Sequence, residues 1–281
     1  MESRSLFVSE ALSETLQGGL ASESVAAGLE VQATDLARGP WDPGALHGGP
    51  VSAMLALGIE SLDPAEGFVV SRLTVDLERP VPPHRPLILR AEVTRPGRKV
   101  QLGESTLSLD GRVLARARAL WIRRGQLELP DTEVALSEPA PQSDGMFQTP
   151  SMSATYEAFH NAANEHRFVD GNWIDRGPVF VWIRLLVPLL ADRPLSPLQR
   201  VAAAADFGNG VSGILPWENY TFINPDLTIH LHRPLVGEWV GLRAKTHASS
   251  IGVGFAESEV FDRLSRIGRS VQSLLIEPRN G

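Results

Sequence analysis

The chain has 281 residues, 43% of them hydrophobic and 21% charged, the balance of a folded globular protein with room for one large or two ordinary domains. Its formal net charge of −7 argues against a general electrostatic grip on nucleic acid or an anionic membrane, since both need a basic face. With no cysteine, disulfides, thiolate metal sites and a cysteine nucleophile are excluded.

The opening MESRSLFVSEALSETL lacks a basic segment followed by an apolar run, and no stretch reaches the roughly 18 apolar residues of a membrane span, so a cytoplasmic protein is expected. Residues 25–36 alternate loosely enough to predict a strand, and the turn signal PWDPG follows at 40–44. From His47 the text HGGPVSAMLALGIESLD predicts a buried helix of three or four turns, with Pro50 in its permitted first turn. Four runs with period two come next, at 73–81, 86–95, 100–109 and 113–124, separated by Pro-Pro, Pro-Gly and Asp-Gly turns. A strand, a long apolar helix and an antiparallel meander describe an α+β unit in which a sheet wraps a helix.

The second half repeats this grammar. RLTVDLERPV at 72–81 matches DLTIHLHRPL at 226–235, an offset of 226 − 72 = 154, with Leu, Thr, Leu, Arg and Pro at identical places. Two similar halves related by a pseudo-two-fold axis follow: an N-terminal half over 1–126, a linker over 127–151 and a C-terminal half over 152–281. Ahead of the second meander, residues 178–189 read as an apolar strand. Residues 196–210 read as an Ala-rich helix opened by Ser196 and Pro197 and closed by Gly208 or Gly210.

Asp206 is the one charge in VAAAADFGNG, and a carboxylate on an apolar helix must find donors or become neutral. The plain alternative is a capping or turn aspartate. Gln272 lies among apolar residues in the last strand, where an inward amide could orient a water against a carboxylate and an outward one would be an ordinary surface residue. Asn224, at the start of NPDLTIHL, is either a turn residue or a second water-orienting amide, with Thr228 as a nearby alternate. His47, Gly48 and Gly49 open the first helix, where backbone N–H groups at the positive end of the dipole could hold a carbonyl and its oxyanion; the alternative is a turn that needs glycine. His230 and His232 alternate on one strand without a third ligand, so no metal is expected. No GxSxG elbow, phosphate loop or dinucleotide fingerprint is present.

The order HGGPVSAML, ADFGNG, DLTIHLHRP with GEWVGLRA after it, and GRSVQ resembles the acyl-CoA thioesterase superfamily in its double hot-dog form, over roughly residues 30–277. The resemblance implies hydrolysis of a fatty acyl-CoA without metal or organic cofactor. It implies a water held by an Asp, a hydroxyl residue and a Gln, matching Asp206, Asn224 and Gln272. Asn224 departs from the hydroxyl type. A hot-dog hydratase or dehydratase and a catalytically silent acyl-CoA or lipid-binding protein are the rivals. Two such halves already contain their own pseudo-dimer, so a monomer suffices, while pairing of exposed sheet edges favours a homodimer.

Overall fold

Apolar and polar residues alternate through the meanders, and in the computed structural model the described residues build a 14-stranded antiparallel sheet. The structure describes residues 4–9, 22–62, 67–130, 138–150 and 156–279. The first part holds β1 (Phe7–Val8), α1 (Ser22–Ala27), β2 (Leu29–Ala33), α2 (Gly48–Ser61), β3 (Phe68–Asp76), β4 (Pro86–Arg95), β5 (Val100–Leu109) and β6 (Arg112–Arg123). The second holds β7 (Met146–Phe147), α3 (Phe159–Ala162), β8 (Asn164–Asp170), β9 (Val179–Leu185), α4 (Pro197–Ala205) and α5 (Gly208–Val211). It continues with β10 (Tyr220–Ile223), β11 (Asp226–Leu231), β12 (Val240–Ala248), β13 (Val253–Phe261) and β14 (Arg266–Pro278).

The strand order is β1-β2-β4-β5-β6-β3-β11-β14-β13-β12-β9-β8-β7, with β10 attached to β14. Read outward from the β3–β11 seam, each side repeats the other: β6 answers β14, β5 answers β13, β4 answers β12 and β2 answers β9. Thr74 pairs with Thr228 at the seam, and these are the two residues that the 154-residue offset equates (228 − 74 = 154). A pseudo-two-fold axis therefore passes between their hydroxyls, which lie 3.4 Å apart. Helices α2 and α4 pack against each other and against the sheet, and one apolar core runs through both halves.

The two central helices also correspond. A Cβ on Gly58 would clash with Ser105, and a Cβ on Gly208 would clash with Ser258 at the equivalent place on β13. Aligned on those glycines, the unbroken α2 matches residues 198–211, which span α4 and α5. The second helix, from Pro197 to Val211, is one residue longer than the first and is interrupted at Asp206 and Phe207. The expected single helix over 196–210 is corrected accordingly: Gly208 opens the second piece rather than closing the first.

Other boundaries move for local reasons. Residues 22–27 are helical, and Gly28, at φ +110°, ends that helix so that β2 starts only at Leu29; the expected strand over 25–36 is thus a helix, a short strand and a 3-10 turn at Asp35–Ala37. Strand β3 begins at Phe68 and leaves the sheet after Asp76, where the Leu77 N–H bonds to Pro225 O instead, short of the expected end at 81. β9 stops at Leu185, short of 189. Strands β1, β7, β8 and β10 and helix α3 were not expected from the sequence. Of the stretch 127–151, residues 131–137 and 151 lie outside the described residues, while Glu138 O accepts from Arg266 N–H and Ala140 N–H donates to Leu264 O, docking this segment on the β13–β14 turn.

Candidate active site

The interruption between α4 and α5 is where the sequence candidates meet. Asp206 closes α4, only 6% exposed, and its backbone carbonyl has lost its helical partner. Gln272, 1% exposed in the inward register of β14, fills the gap. Its Nε2 donates to Asp206 O at 3.1 Å and to Asp206 Oδ1 at 3.3 Å, and its Oε1 accepts from Asn209 N–H at 3.1 Å. A side-chain amide thus stands in for the missing backbone ladder and holds the carboxylate at the break.

Asn224, between β10 and β11, donates from Nδ2 to Asp206 Oδ1 at 2.8 Å. From the other half, His47 caps α2 and brings Nδ1 to 2.8 Å from Asp206 Oδ2. The same nitrogen is 3.1 Å from Gly49 N. An imidazole nitrogen has one in-plane direction, so it donates to the carboxylate or accepts from Gly49, not both. An ionised Asp206 favours donation. Where the imidazole donates to Asp206, the Gly49 N–H loses this cap; the first N–H groups of α2 have no intrahelical acceptor in either case.

Both glycines are sterically required. A Cβ on Gly48 would lie 2.7 Å from Asp206 Oδ1, and one on Gly49 would lie 2.7 Å from Ala203 O, so the close approach of α2 to α4 depends on their absence. Asp206, Asn224, His47 and Gly48 line a cavity of about 640 Å³ between the halves, the size of a small-molecule site. Gln272 lies behind Asp206 rather than on the cavity wall. Thr228 is at the seam, its hydroxyl meeting Thr74, and is not part of the lining. His230 and His232 lie beside a separate open depression, and no cluster of three or more metal-ligating side chains occurs among the described residues.

The sequence reading did not join His47 to Asp206, since the pair bridges two helices in different halves; the His-Gly-Gly cap was the available signal. It also passed over His160 and His166. His160 lines the cavity, and His166 packs behind it on β8, where burial, helped by nearby His160 and His47, lowers its pKa to about 3. No helix among the described residues is long and apolar enough to cross a membrane.

A family model described as the acyl-CoA thioesterase C-terminal domain matches residues 130–276, and its N-terminal companion matches residues 37–122. Among solved structures, the tesB protein of Mycobacterium avium subsp. paratuberculosis is 16% identical with a TM-score of 0.61, covering 92% of this chain and 98% of that one. The acyl-CoA thioesterase II of Mycobacterium marinum is 14% identical with a TM-score of 0.62, covering 92% and 98%. A hot-dog protein from Alicyclobacillus acidocaldarius is 16% identical with a TM-score of 0.65, covering 91% and 97%. These likenesses show a double hot-dog fold. No curated protein matches significantly.

Proposed function

Since the chain belongs to the acyl-CoA thioesterase family and is thereby a thioester hydrolase, we propose that it cleaves an acyl-CoA with a water held on Asp206. The reading rests on one observation: a nearly buried carboxylate faces a cavity between the halves, with donors reaching it from both of them. The thioester carbonyl sits against an N–H group that opens α2, at Gly48 or Gly49, of which Gly48 lines the cavity, and there the helix dipole favours the developing oxyanion. Asp206 and Asn224 orient the water, and Asp206 takes its proton as the oxygen attacks. Collapse of the tetrahedral intermediate breaks the C–S bond, and the proton passes to the departing thiolate, giving free acid and CoA.

Gln272 acts through Asp206. Both of its amide hydrogens are spent on that residue, so it fixes the carboxylate rather than the water. His47 orients Oδ2 and completes the donor set.

The test is thiol release from a panel of acyl-CoAs by the wild type and by Asp206→Asn. The expected result is activity that falls at least about a hundredfold in the variant, roughly 2.7 kcal/mol of transition-state stabilisation. Binding without thiol release would instead identify an acyl-CoA-binding protein. The contact of His47 with Asp206 also carries the hydratase reading, because an Asp–His pair can move a proton next to a thioester. Loss of the enoyl chromophore of a 2-enoyl-CoA without thiol release would establish that chemistry in place of hydrolysis.

A further inference from the structure

An attacking water has two hydrogens to place. One goes to Asp206, which takes it as the oxygen approaches the carbonyl; the other must point at an acceptor if a lone pair is to be held facing the carbonyl carbon. The groups bonded to the Asp206 carboxylate are donors: Asn224 Nδ2 at 2.8 Å, Gln272 Nε2 at 3.3 Å and His47 Nδ1 at 2.8 Å. None of these atoms can receive the second hydrogen while it donates to the carboxylate.

Asn209 supplies an acceptor. The backbone keeps right-handed helical angles at Asp206 (φ −66°, ψ −19°) and Phe207 (φ −72°, ψ −12°) on its way into α5, so Asn209, three residues after Asp206, lies on the same side as the carboxylate. Both residues line the cavity. Gln272 fixes their relation, since its Nε2 donates to Asp206 O and its Oε1 accepts from Asn209 N–H, each at 3.1 Å. The Asn209 side chain is bonded at one end only: Nδ2 donates to Phe222 O at 3.3 Å, while Oδ1 has no hydrogen-bond partner among the described residues. Asn209 is 7% exposed, so bulk solvent does not satisfy this oxygen, and a buried amide oxygen left without a donor destabilises the fold. A donor seated in the cavity against Asp206 relieves that. The Asn224 amide also carries an oxygen, but that residue is only half-buried.

We propose that Asn209 is a further catalytic residue, whose Oδ1 accepts the second hydrogen of the attacking water while Asp206 accepts the first. This rests on the hydrolase reading above. Two acceptors on one helix face fix both O–H directions and leave a lone pair for the thioester carbon.

Methanol tests this, because it has one O–H where water has two. In the wild type its methyl group meets Oδ1, so thiol release with methanol added to the assay should give less methyl ester than the concentrations of the two nucleophiles predict. Asn209→Ala and Asn209→Leu should lower kcat for hydrolysis by at least about tenfold and raise the ratio of methyl ester to free acid by about tenfold or more. A fall in kcat with an unchanged ester-to-acid ratio would show that Asn209 only braces the helix break through Phe222, and it overturns the proposal. An unchanged kcat overturns it too, leaving hydrolysis intact. If the wild type releases no thiol from any acyl-CoA, the hydrolase reading fails and takes this one with it. Should neither variant fold, the wild-type ratio decides, and methyl ester formed in proportion to the nucleophile concentrations sinks the proposal.

Discussion

Gly48 shows how narrowly the carboxylate is seated. Alanine there would improve helix propensity by up to about 1 kcal/mol, but its Cβ would lie 2.7 Å from an oxygen already bound by Asn224 and Gln272. The two effects act on different quantities. Gly48→Ala is expected to shift the melting temperature by only a few degrees while lowering kcat by about tenfold or more, checked by calorimetry and thiol release on one preparation. His166 has a second kind of signature. Unfolded, it takes up a proton below its ordinary value of 6.5; buried, it refuses one until about pH 3. Between those limits the unfolded state binds more protons, so the stability due to the neutral ring is full above pH 6.5 and falls on acidification by about 1.4 kcal/mol per pH unit. Urea unfolding at pH 6.5 and pH 5 should show the wild type losing about 2 kcal/mol more than His166→Phe; equal losses would refute the assignment.

At the level of elements, the two central helices are tied to each other by a polar clasp. Ser196 caps α4 by accepting from Gln199 N–H at 3.1 Å, and its hydroxyl donates to Glu60, near the end of α2, at 2.7 Å. Gln199 Nε2 adds a second donor at 2.8 Å. Burial holds the Glu60 pKa above the ordinary carboxylate value, and these two hydrogen bonds offset only part of that rise. Ser196→Ala removes the cap, at about 1 kcal/mol, and one donor to a buried carboxylate, at about 1 to 2 kcal/mol more. Urea denaturation should therefore register a loss of about 2 to 3 kcal/mol. The meander strands and α2 were legible because Pro-Pro, Pro-Gly and Asp-Gly turns punctuate clear period-two runs. The break in the second helix was not, since the Ala run leading to Asp206 contains no helix breaker, and the group that stabilises the break is Gln272, 66 residues further on. β8 was missed because NEHRFVD reads as polar; in the fold Glu165 is neutralised by Arg167 and Arg184, and His166 is buried uncharged. Asp206 and Gln272 stood out as single polar residues in apolar runs, whereas the His47 contact needed the packing of two helices.

Across the whole molecule, the seam between β3 and β11 and the shared core make each half the other's partner. Cutting the chain between Pro130 and Glu138 should therefore give two pieces that are inactive apart, because His47 and Asp206 would be on different polypeptides. Co-expression should restore a 1:1 complex with thiol release, checked by size-exclusion chromatography and assay; activity in the C-terminal piece alone would contradict a site built from both halves.

The pseudo-symmetry has one more implication. Aligned on Gly58 and Gly208, the position equivalent to Asp206 is Ala56, and across the equivalent strands Gln272 corresponds to Ala119. The counterpart of the site across the pseudo-two-fold axis has thus been filled with methyl groups. A dimer of identical subunits would have to keep every feature in duplicate, on both sides of its axis. Joined in one polypeptide, the halves have divided the labour: one supplies the helix start and the imidazole, and the other the carboxylate and the amides that hold it.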